Sequence, residues 1–421
     1  MASGAPAIDD YSSYLSAAAR GMRSSAIRDM FSLSENADVI SFAGGFPTPE
    51  AFLSLEAAQL VVDVLRQRPA AAYQYGPTEG IGELRAAVAD LMRERGVDAH
   101  PAQILLTAGS QQALDLIART LADPGDPVLV ELPGYVGGIN AAVAHRADLI
   151  GCPVDENGLV PAALDEKLVA LEAAGRKARF LYLVPNFGNP AGTLLPLSRR
   201  YELVQIARRH DLLIVEDDAY GELYYDGQRP PLPLRALAPE RVIYLGSFSK
   251  IFLPGLRVGW VCGPQPLVHQ LGVAKQAADL CSSSFGQQVV LEWLRRGSIQ
   301  PHVEQLRALY RRRRDRTEAA LRRFFPAGAQ YRVPTGGFFF WITLPQLARS
   351  GQTTAELLPA ALRHGVAYVA GDGFCVDGGG QWSLRLSFSQ VEEERIEEGV
   401  QRLGRLFTQA MPGESSPGYA Q

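Results

Sequence analysis

Lysine is nearly missing from this chain: of its 41 basic residues only Lys167, Lys177, Lys250 and Lys275 are lysines, so chemistry that needs an amine side chain has few candidates. Cysteine is as sparse. Cys152, Cys262, Cys281 and Cys375 lie far apart and form no C-x-x-C pair, so neither a zinc site nor a disulfide framework is indicated, and reduced core residues are expected. No apolar run approaches the roughly 20 residues that span a bilayer. Met1–Arg20 carries no signal-peptide core, so a cytoplasmic protein without membrane contacts is expected. Positive charge is not in excess either; a net charge of −4 gives no general attraction to nucleic acid and leaves small molecules as the expected partners. No internal repeat is visible.

What is present is a chain of 421 residues, 47% hydrophobic, long enough for two domains. From Ile104 to Gly263 short apolar runs alternate with helical patterns, the rhythm of an α/β sheet covered by helices. The runs Ile104–Thr107, Val128–Glu131, Phe180–Val184, Leu212–Val215, Val242–Leu245 and Val258–Val261 read as buried strands. Gln111–Leu121 and Ser198–His210 read as helices, the second with Ser198 as N-cap. Beyond Ser284 comes an Arg-rich helix over Val303–Phe325, then strands at Gly337–Thr343 and Ser383–Phe388, which fit a smaller α+β domain. The expected division is an N-terminal arm over 1–45 packed on the small domain or a partner subunit, a large domain over 46–295, a small domain over 296–411 and a disordered tail over 412–421. The run Arg311–Arg314, followed by Asp315 and Glu318, reads as the solvated face of an amphipathic helix rather than a nucleic-acid site.

Lys250 stands just past an expected strand, in Val242-Ile-Tyr-Leu-Gly-Ser-Phe-Ser-Lys250. An amine nucleophile must be desolvated enough to lose its proton, and the end of a buried strand provides that; a structural ion pair is the alternative. Lys167, Lys177 and Lys275 fall in polar helical stretches and read as solvated. Another expected strand ends in Glu216-Asp217-Asp218, with Tyr220 close behind. Three acids at a buried strand end require a cation: a protonated pyridine nitrogen, or a metal, for which no histidine accompanies the acids and Mg²⁺ is the one reasonable choice. In Thr107-Ala-Gly109-Ser110-Gln111 a glycine turn opens a helix, a ready anion site for a phosphate that Arg257, Ser247 and Ser249 are placed to complete.

Taken in order, Gly109-Ser-Gln, Asn189-Pro-Ala-Gly192, Asp217-Asp-Ala-Tyr220, Ser247-Phe-Ser-Lys250 and Arg257-Val-Gly-Trp resemble the fold-type I pyridoxal-5′-phosphate (PLP) aminotransferases. Ser41-Phe-Ala-Gly44-Gly45-Phe-Pro and Tyr73-Gln-Tyr75-Gly-Pro-Thr-Glu-Gly80 bring the resemblance closest to the branch with the 2-aminoadipate and kynurenine aminotransferases. The resemblance runs from about Arg23 to about Arg405. It implies an α/β fold with a large, mostly parallel sheet covered by helices and a smaller α+β domain, PLP as cofactor, no metal, and transamination between an L-amino acid and a 2-oxo acid. It further implies that Lys250 forms the Schiff base with PLP and that Asp217 partners the pyridine nitrogen. Asn189 and Tyr220 would hold the phenolic oxygen and Tyr135 would stack on the ring. Gly109, Ser110, Gln111, Ser247, Ser249 and Arg257 would hold the phosphate, reached also by Tyr75 from a neighbouring subunit, hence a homodimer. Arg385 would bind the substrate carboxylate with Asn189 and Gly45 nearby, and Arg23 would read the side chain.

The sequence departs from the family pattern at Gly188 and Ala191, where a larger polar residue and threonine are usual. Gly134, Gly137 and Gly138 around Tyr135 are also unusually small, which predicts an enlarged substrate side or a looser loop. A lyase, cyclase or oxidase on the same scaffold remains the competing reaction. Related domains also serve bacterial regulators behind a winged helix, for which Met1–Val39 is too short.

Overall fold

The computed structural model describes residues 11–21, 38–52 and 54–411. β1 (Ile40–Ser41) stands ahead of the main sheet and pairs in parallel with β12 (Val366–Ala367). The main sheet comprises β2 (Ile104–Thr107), β3 (Pro127–Leu132), β4 (Asp148–Asp155), β5 (Gly158–Leu159), β6 (Phe180–Leu183), β7 (Leu213–Asp218), β8 (Val242–Ser247) and β9 (Gly259–Cys262). Their spatial order is β2-β9-β8-β7-β6-β3-β4-β5. The neighbours from β8 to β4 are all parallel, β9 runs against both of its neighbours, and β5 turns back on β4 as a hairpin.

The central strands are apolar without alternation because helices cover both faces, and every residue of β6 and β8 is buried. Each fully enclosed Leu, Ile or Phe here contributes roughly 1.5–3 kcal/mol. A second, antiparallel sheet follows: β10 (Gln330–Tyr331), β11 (Phe339–Thr343), β14 (Ser383–Ser387) and β13 (Val369–Ala370), in that spatial order. The helices Ile299–Phe324 and Ile396–Ala410 pack against one another beside it. The β1-β12 pair is tied to this antiparallel sheet where β14 meets the segment after β1, Ser387 N donating to Phe42 O at 2.8 Å.

Several expectations need correction. β4 and β5 are strands that the pattern missed, because β4 is an outer strand with only Cys152 fully buried, so it lacks an apolar run. Pro196, not Ser198, is the N-cap of the helix Leu197–Arg209, and no side chain caps it. Of the arginine run only part is solvated. Arg313 and Arg314 are buried, Arg313 paired with Glu50 at 2.8 Å and Arg314 with Asp226 at 2.8 Å, so the helix turns two guanidinium groups inward to tie loops to itself. Lys275 is enclosed rather than solvated, with its Nζ 2.8 Å from Asp279. Cys152 and Cys262 are buried as expected, whereas Cys281 and Cys375 are half-buried; all are free thiols. Of the N-terminal arm, β1 does join the strand preceding β13, but the helix Ala17–Gly21 lies against the helix Val136–Ala144, beside the main sheet. The tail over 412–421 lies outside the described residues.

Candidate active site

The carboxyl ends of β2, β3, β6, β7 and β8 open into a cavity of about 710 Å³. This is where open α/β sheets bind ligands, since the loops leaving the strands diverge there. Lys250, in the turn just beyond β8, reaches into the cavity and donates from Nζ to Gly45 O at 2.8 Å. The ammonium lies between the rings of Phe46 and Tyr220, at 5.8 and 5.6 Å from their centroids. Burial, with the positive charges of Arg385 and Arg257 adding to it, lowers its pKa to about 8. Roughly one lysine in ten is then already neutral at pH 7, a fraction an ordinary solvated lysine never approaches.

The acidic run at the end of β7 is divided by the pleat. Successive side chains point to opposite faces, which separates Asp217 from Glu216 and Asp218. Glu216 accepts from the amides of Leu234 and Arg235 at 2.9 and 2.8 Å, with Arg200 3.7 Å away. Asp218 is held by Arg95 at 2.7 Å and by Asn186 and Tyr244 at 2.8 Å each. Two of the three acids therefore have structural cations, and the requirement for one in the cavity falls on Asp217 alone. Its Oδ2 accepts from Tyr182 Oη at 2.9 Å, while Oδ1 is buried without a partner. Burial pushes this carboxyl up to about 7, against the pull of the Tyr182 hydroxyl and Lys250. A buried carboxyl with one free oxygen fits a cationic ring nitrogen; among the described residues no cluster of His, Cys, Asp and Glu is arranged to hold a metal.

On the wall of the same cavity the turn after β2 has the make-up of an anion cradle. Gly109 adopts φ of +80°, and a Cβ there would sit 2.5 Å from Arg257 Nη2, so only glycine lets the guanidinium lie against the turn. Ser110 opens the helix Ser110–Leu121, and its buried Oγ has no partner. The first-turn amides of any helix lack intrahelical acceptors, and their dipole favours an anion. Ser247 Oγ accepts from Ser249 N at 3.0 Å, and Arg257 Nη1 approaches Ser249 Oγ at 3.4 Å. Gln111, half a turn on, donates to Gly137 O at 3.0 Å and lines the same cavity.

The remaining walls come from both sheets. Arg385 of β14 is 1% exposed although an arginine on a short alternating strand ordinarily faces water. It lies over the Phe339 ring at 4.6 Å, donates to Asn189 Oδ1 at 2.8 Å and bonds Ala43 O, leaving Nε unpartnered. Burial lowers its pKa to about 10, so it stays charged at neutral pH. Tyr135 and Tyr220 line the cavity with their hydroxyl pKa values raised by burial. Gly45 faces it too, with no room for a side chain, since a Cβ would meet the Phe339 ring at 2.8 Å. Tyr75 is absent from the cavity wall and 78% exposed. Arg23 lies outside the described residues.

The three glycines around Tyr135 do not simply enlarge the cavity. A Cβ on Gly138 would fall 2.2 Å from the Tyr182 ring, one on Gly137 2.5 Å from the Tyr135 ring, and one on Gly134 2.4 Å from Glu131 O. The space beside Gly137 and Gly138 is taken up by the tyrosines, and that beside Gly134 by the backbone of Glu131. Gly188 is likewise closed off, its Cβ position being 2.9 Å from Val184 O, so the larger residue usual in the family does not fit this backbone. Tyr182 was legible in the sequence only as a strand residue; the signal for its role is its hydroxyl in an otherwise apolar run. Glu131 was missed in the same way. It accepts from Val184 N at 2.8 Å, and burial pushes its carboxyl up to about 8, which keeps a second negative charge from opposing Asp217.

A model of the class I and II aminotransferases matches residues 37–403. The chain belongs to that family. Aromatic-amino-acid aminotransferase 1 of Thermococcus litoralis is 40% identical, with 96% of each chain covered. The 2-aminoadipate transaminase of Thermus thermophilus is 41% identical, covering 92% of this chain and 94% of the relative. Among solved structures, Pyrococcus horikoshii kynurenine aminotransferase in complex with PMP, KYN and KYA superposes with a TM-score of 0.91 at 38% identity, covering 96% of this chain and 99% of that one. The fold is accordingly that of the fold-type I enzymes, the cofactor is pyridoxal phosphate, and the activity is transamination between amino acids and 2-oxo acids. No described helix is long and apolar enough to cross a membrane.

Proposed function

We propose that this aminotransferase binds PLP with its phosphate in the Gly109–Gln111 turn and its ring between Tyr135 and Asp217, and carries the reaction on Lys250. The observation that supports this best is the convergence of the partnerless Asp217 Oδ1, the partnerless Ser110 Oγ and the low-pKa amine of Lys250 on one cavity. When bound, the cofactor supplies an electron sink for the charge left as the substrate Cα loses its proton. Asp217 keeps the ring nitrogen protonated, and Tyr182 holds that carboxylate in place. Asn189 and Tyr220 hydrogen-bond the ring hydroxyl. Lys250 would hold the cofactor through its Nζ and, once freed, would take the substrate Cα proton as general base and return it to the cofactor side as general acid. Arg385 and Asn189 hold the substrate carboxylate beside Gly45, orienting Cα toward the lysine. Arg257, Ser247 and Ser249 complete the phosphate site.

Replacement of Asp217 by alanine is expected to slow the chemical step by on the order of 10²-fold, since protonation of the ring nitrogen loses its partner. Stopped-flow absorbance of the bound cofactor during one half-reaction measures it, and an unchanged rate and spectrum would remove Asp217 from this role.

The charged groups among the described lining residues are Asp217, Lys250, Arg257 and Arg385, all already given a task. The wall left for a substrate side chain is Phe46, Val136, Tyr135, Pro254 and the amide of Asn140. An amino acid with an aromatic or long side chain suits it, in keeping with the relatives' names. A homodimer is proposed on Tyr75, whose exposed ring reaches no cofactor position in its own subunit, and a cytoplasmic location on the free thiols. Light scattering is expected to give twice the monomer mass for the active enzyme; a fully active monomer would refute the shared site.

A further inference from the structure

Lys275 is the one lysine whose surroundings contradict its sequence context most, and it leads to the phosphate turn. It lies in the last turn of the helix Gln265–Ala278, fully enclosed, with Nζ 2.8 Å from Asp279 Oδ1. The other oxygen of Asp279 accepts from Gln112 Nε2 at 2.7 Å and from Ser282 Oγ at 3.4 Å. Gln112 in turn accepts, through Oε1, the amide of Ala108 at 2.8 Å. Ala108 is the residue before Gly109, and its carbonyl receives Arg257 Nη2 at 3.2 Å. An unbroken path thus runs from a buried ammonium, through a carboxylate and an amide, to the backbone of the turn.

Enclosing the lysine of an ion pair, even with its carboxylate partly exposed, is seldom a net source of stability, because desolvation offsets the attraction. Here it does something a neutral pair does not. The carboxylate fixes which end of the Gln112 amide is the donor, and therefore presents the oxygen to Ala108 N. With Ala108 N and O both engaged, and Thr107 Oγ1 donating to Gly109 O at 3.1 Å, the turn has little freedom before any ligand arrives. The amides that follow, at the start of the helix, stay available to an anion. Such preorganisation raises affinity by removing the ordering cost from binding.

We propose that Lys275, Asp279 and Gln112 are positioning residues that brace the Ala108–Ser110 turn for the cofactor phosphate. The brace rests on the placing of the phosphate in this turn, and acts on binding rather than on the chemical step. Gln112→Ala is expected to weaken PLP binding to the apoenzyme by about tenfold or more, as loss of a charge-linked hydrogen-bond path. Binding of pyridoxal, which lacks the phosphate, should stay within about twofold, as should kcat at saturating PLP. Inorganic phosphate should lose affinity in parallel with PLP. Fluorescence titration of apoenzyme with the three ligands gives these values without reliance on turnover. Asp279→Asn, which keeps the shape but removes the charge, should shift the same ratio in the same direction and serves if Gln112→Ala fails to fold. Ser110→Ala separates the two levels of the argument. If Ser110→Ala lowers PLP but not pyridoxal affinity while both brace variants leave the ratio unchanged, the brace is refuted and the phosphate site stands. If none of the three changes the ratio, the phosphate lies elsewhere and the brace falls with it. Equal weakening of PLP and pyridoxal by the brace variants would show a general structural role and overturn the proposal.

Discussion

Lys250→Ala is expected to abolish covalent attachment of the cofactor and to reduce turnover by at least on the order of 10²–10⁴-fold, the range that general acid–base work alone contributes. Two features of the structure make the loss so large. The lysine is the amine of the cavity, and its Nζ, with a pKa lowered to about 8, is ready to lose a proton near neutral pH. No other described lining residue carries an amine, since the basic side chains of Arg257 and Arg385 are guanidinium groups. PLP should still bind without the covalent link, because the proposed phosphate site, the Gly109–Gln111 turn with Arg257, does not involve the lysine. Absorbance of the purified variant and single-turnover kinetics measure both parts. Retained turnover would sink the assignment. The low pKa carries a sign that can be checked as well: attachment of PLP to the apoenzyme should accelerate as pH rises through about 8 and level off above it, where the amine is already neutral.

The second large effect is expected at Arg385. Its guanidinium is held over Phe339 and tied to Asn189 and Ala43, a planar fork suited to a carboxylate and fixed before the substrate arrives. Arg385→Ala should raise KM for every amino-acid substrate by the equivalent of about 2–4 kcal/mol, the usual cost of losing a charged, hydrogen-bonded partner. The uniformity matters more than the size. A residue that reads side chains discriminates among substrates, whereas one that reads the common carboxylate affects all alike and leaves amines without a carboxylate unaffected. Steady-state kinetics across a panel decides it, and an unchanged kcat/KM would remove Arg385 from the site.

The sequence made Lys250 legible because lysine is rare and this one follows a buried strand. It could not say which of Glu216, Asp217 and Asp218 faces the cavity. That depends on the pleat of β7, on Arg95, which lies far away in the chain, and on Arg200 of the preceding helix; the two arginines pair with the other two acids. The same limit explains Arg313 and Arg314, charges in a polar helical stretch to which only tertiary packing brings Glu50 and Asp226; Lys275 has its carboxylate one turn on, at Asp279, but its enclosure likewise depends on packing. The small glycines around Tyr135 point in the sequence to an enlarged substrate side or a looser loop; in the structure the Tyr135 and Tyr182 rings occupy the space beside Gly137 and Gly138, and the Glu131 carbonyl that beside Gly134. Arg385 was placed by resemblance alone; its strand pattern pointed to solvent, and the packing of β14 against the Ala43 segment buried it. The apolar parts of the central strands were legible, but β7 runs on through Glu216–Asp218, three residues past its apolar run, and β4 at the margin carries too mixed a pattern to be distinguished from a loop.

The most direct test of the whole account is a single half-reaction: holoenzyme mixed with a panel of L-amino acids in the absence of any oxo acid, with cofactor absorbance and product mass followed together. Aromatic and long-chain donors are expected to convert the bound cofactor to its amine form and to release one equivalent of the matching 2-oxo acid per active site, the enzyme then waiting for an acceptor. Ammonia, peroxide or a cyclised product in place of the oxo acid, or turnover that continues without an acceptor, would contradict it.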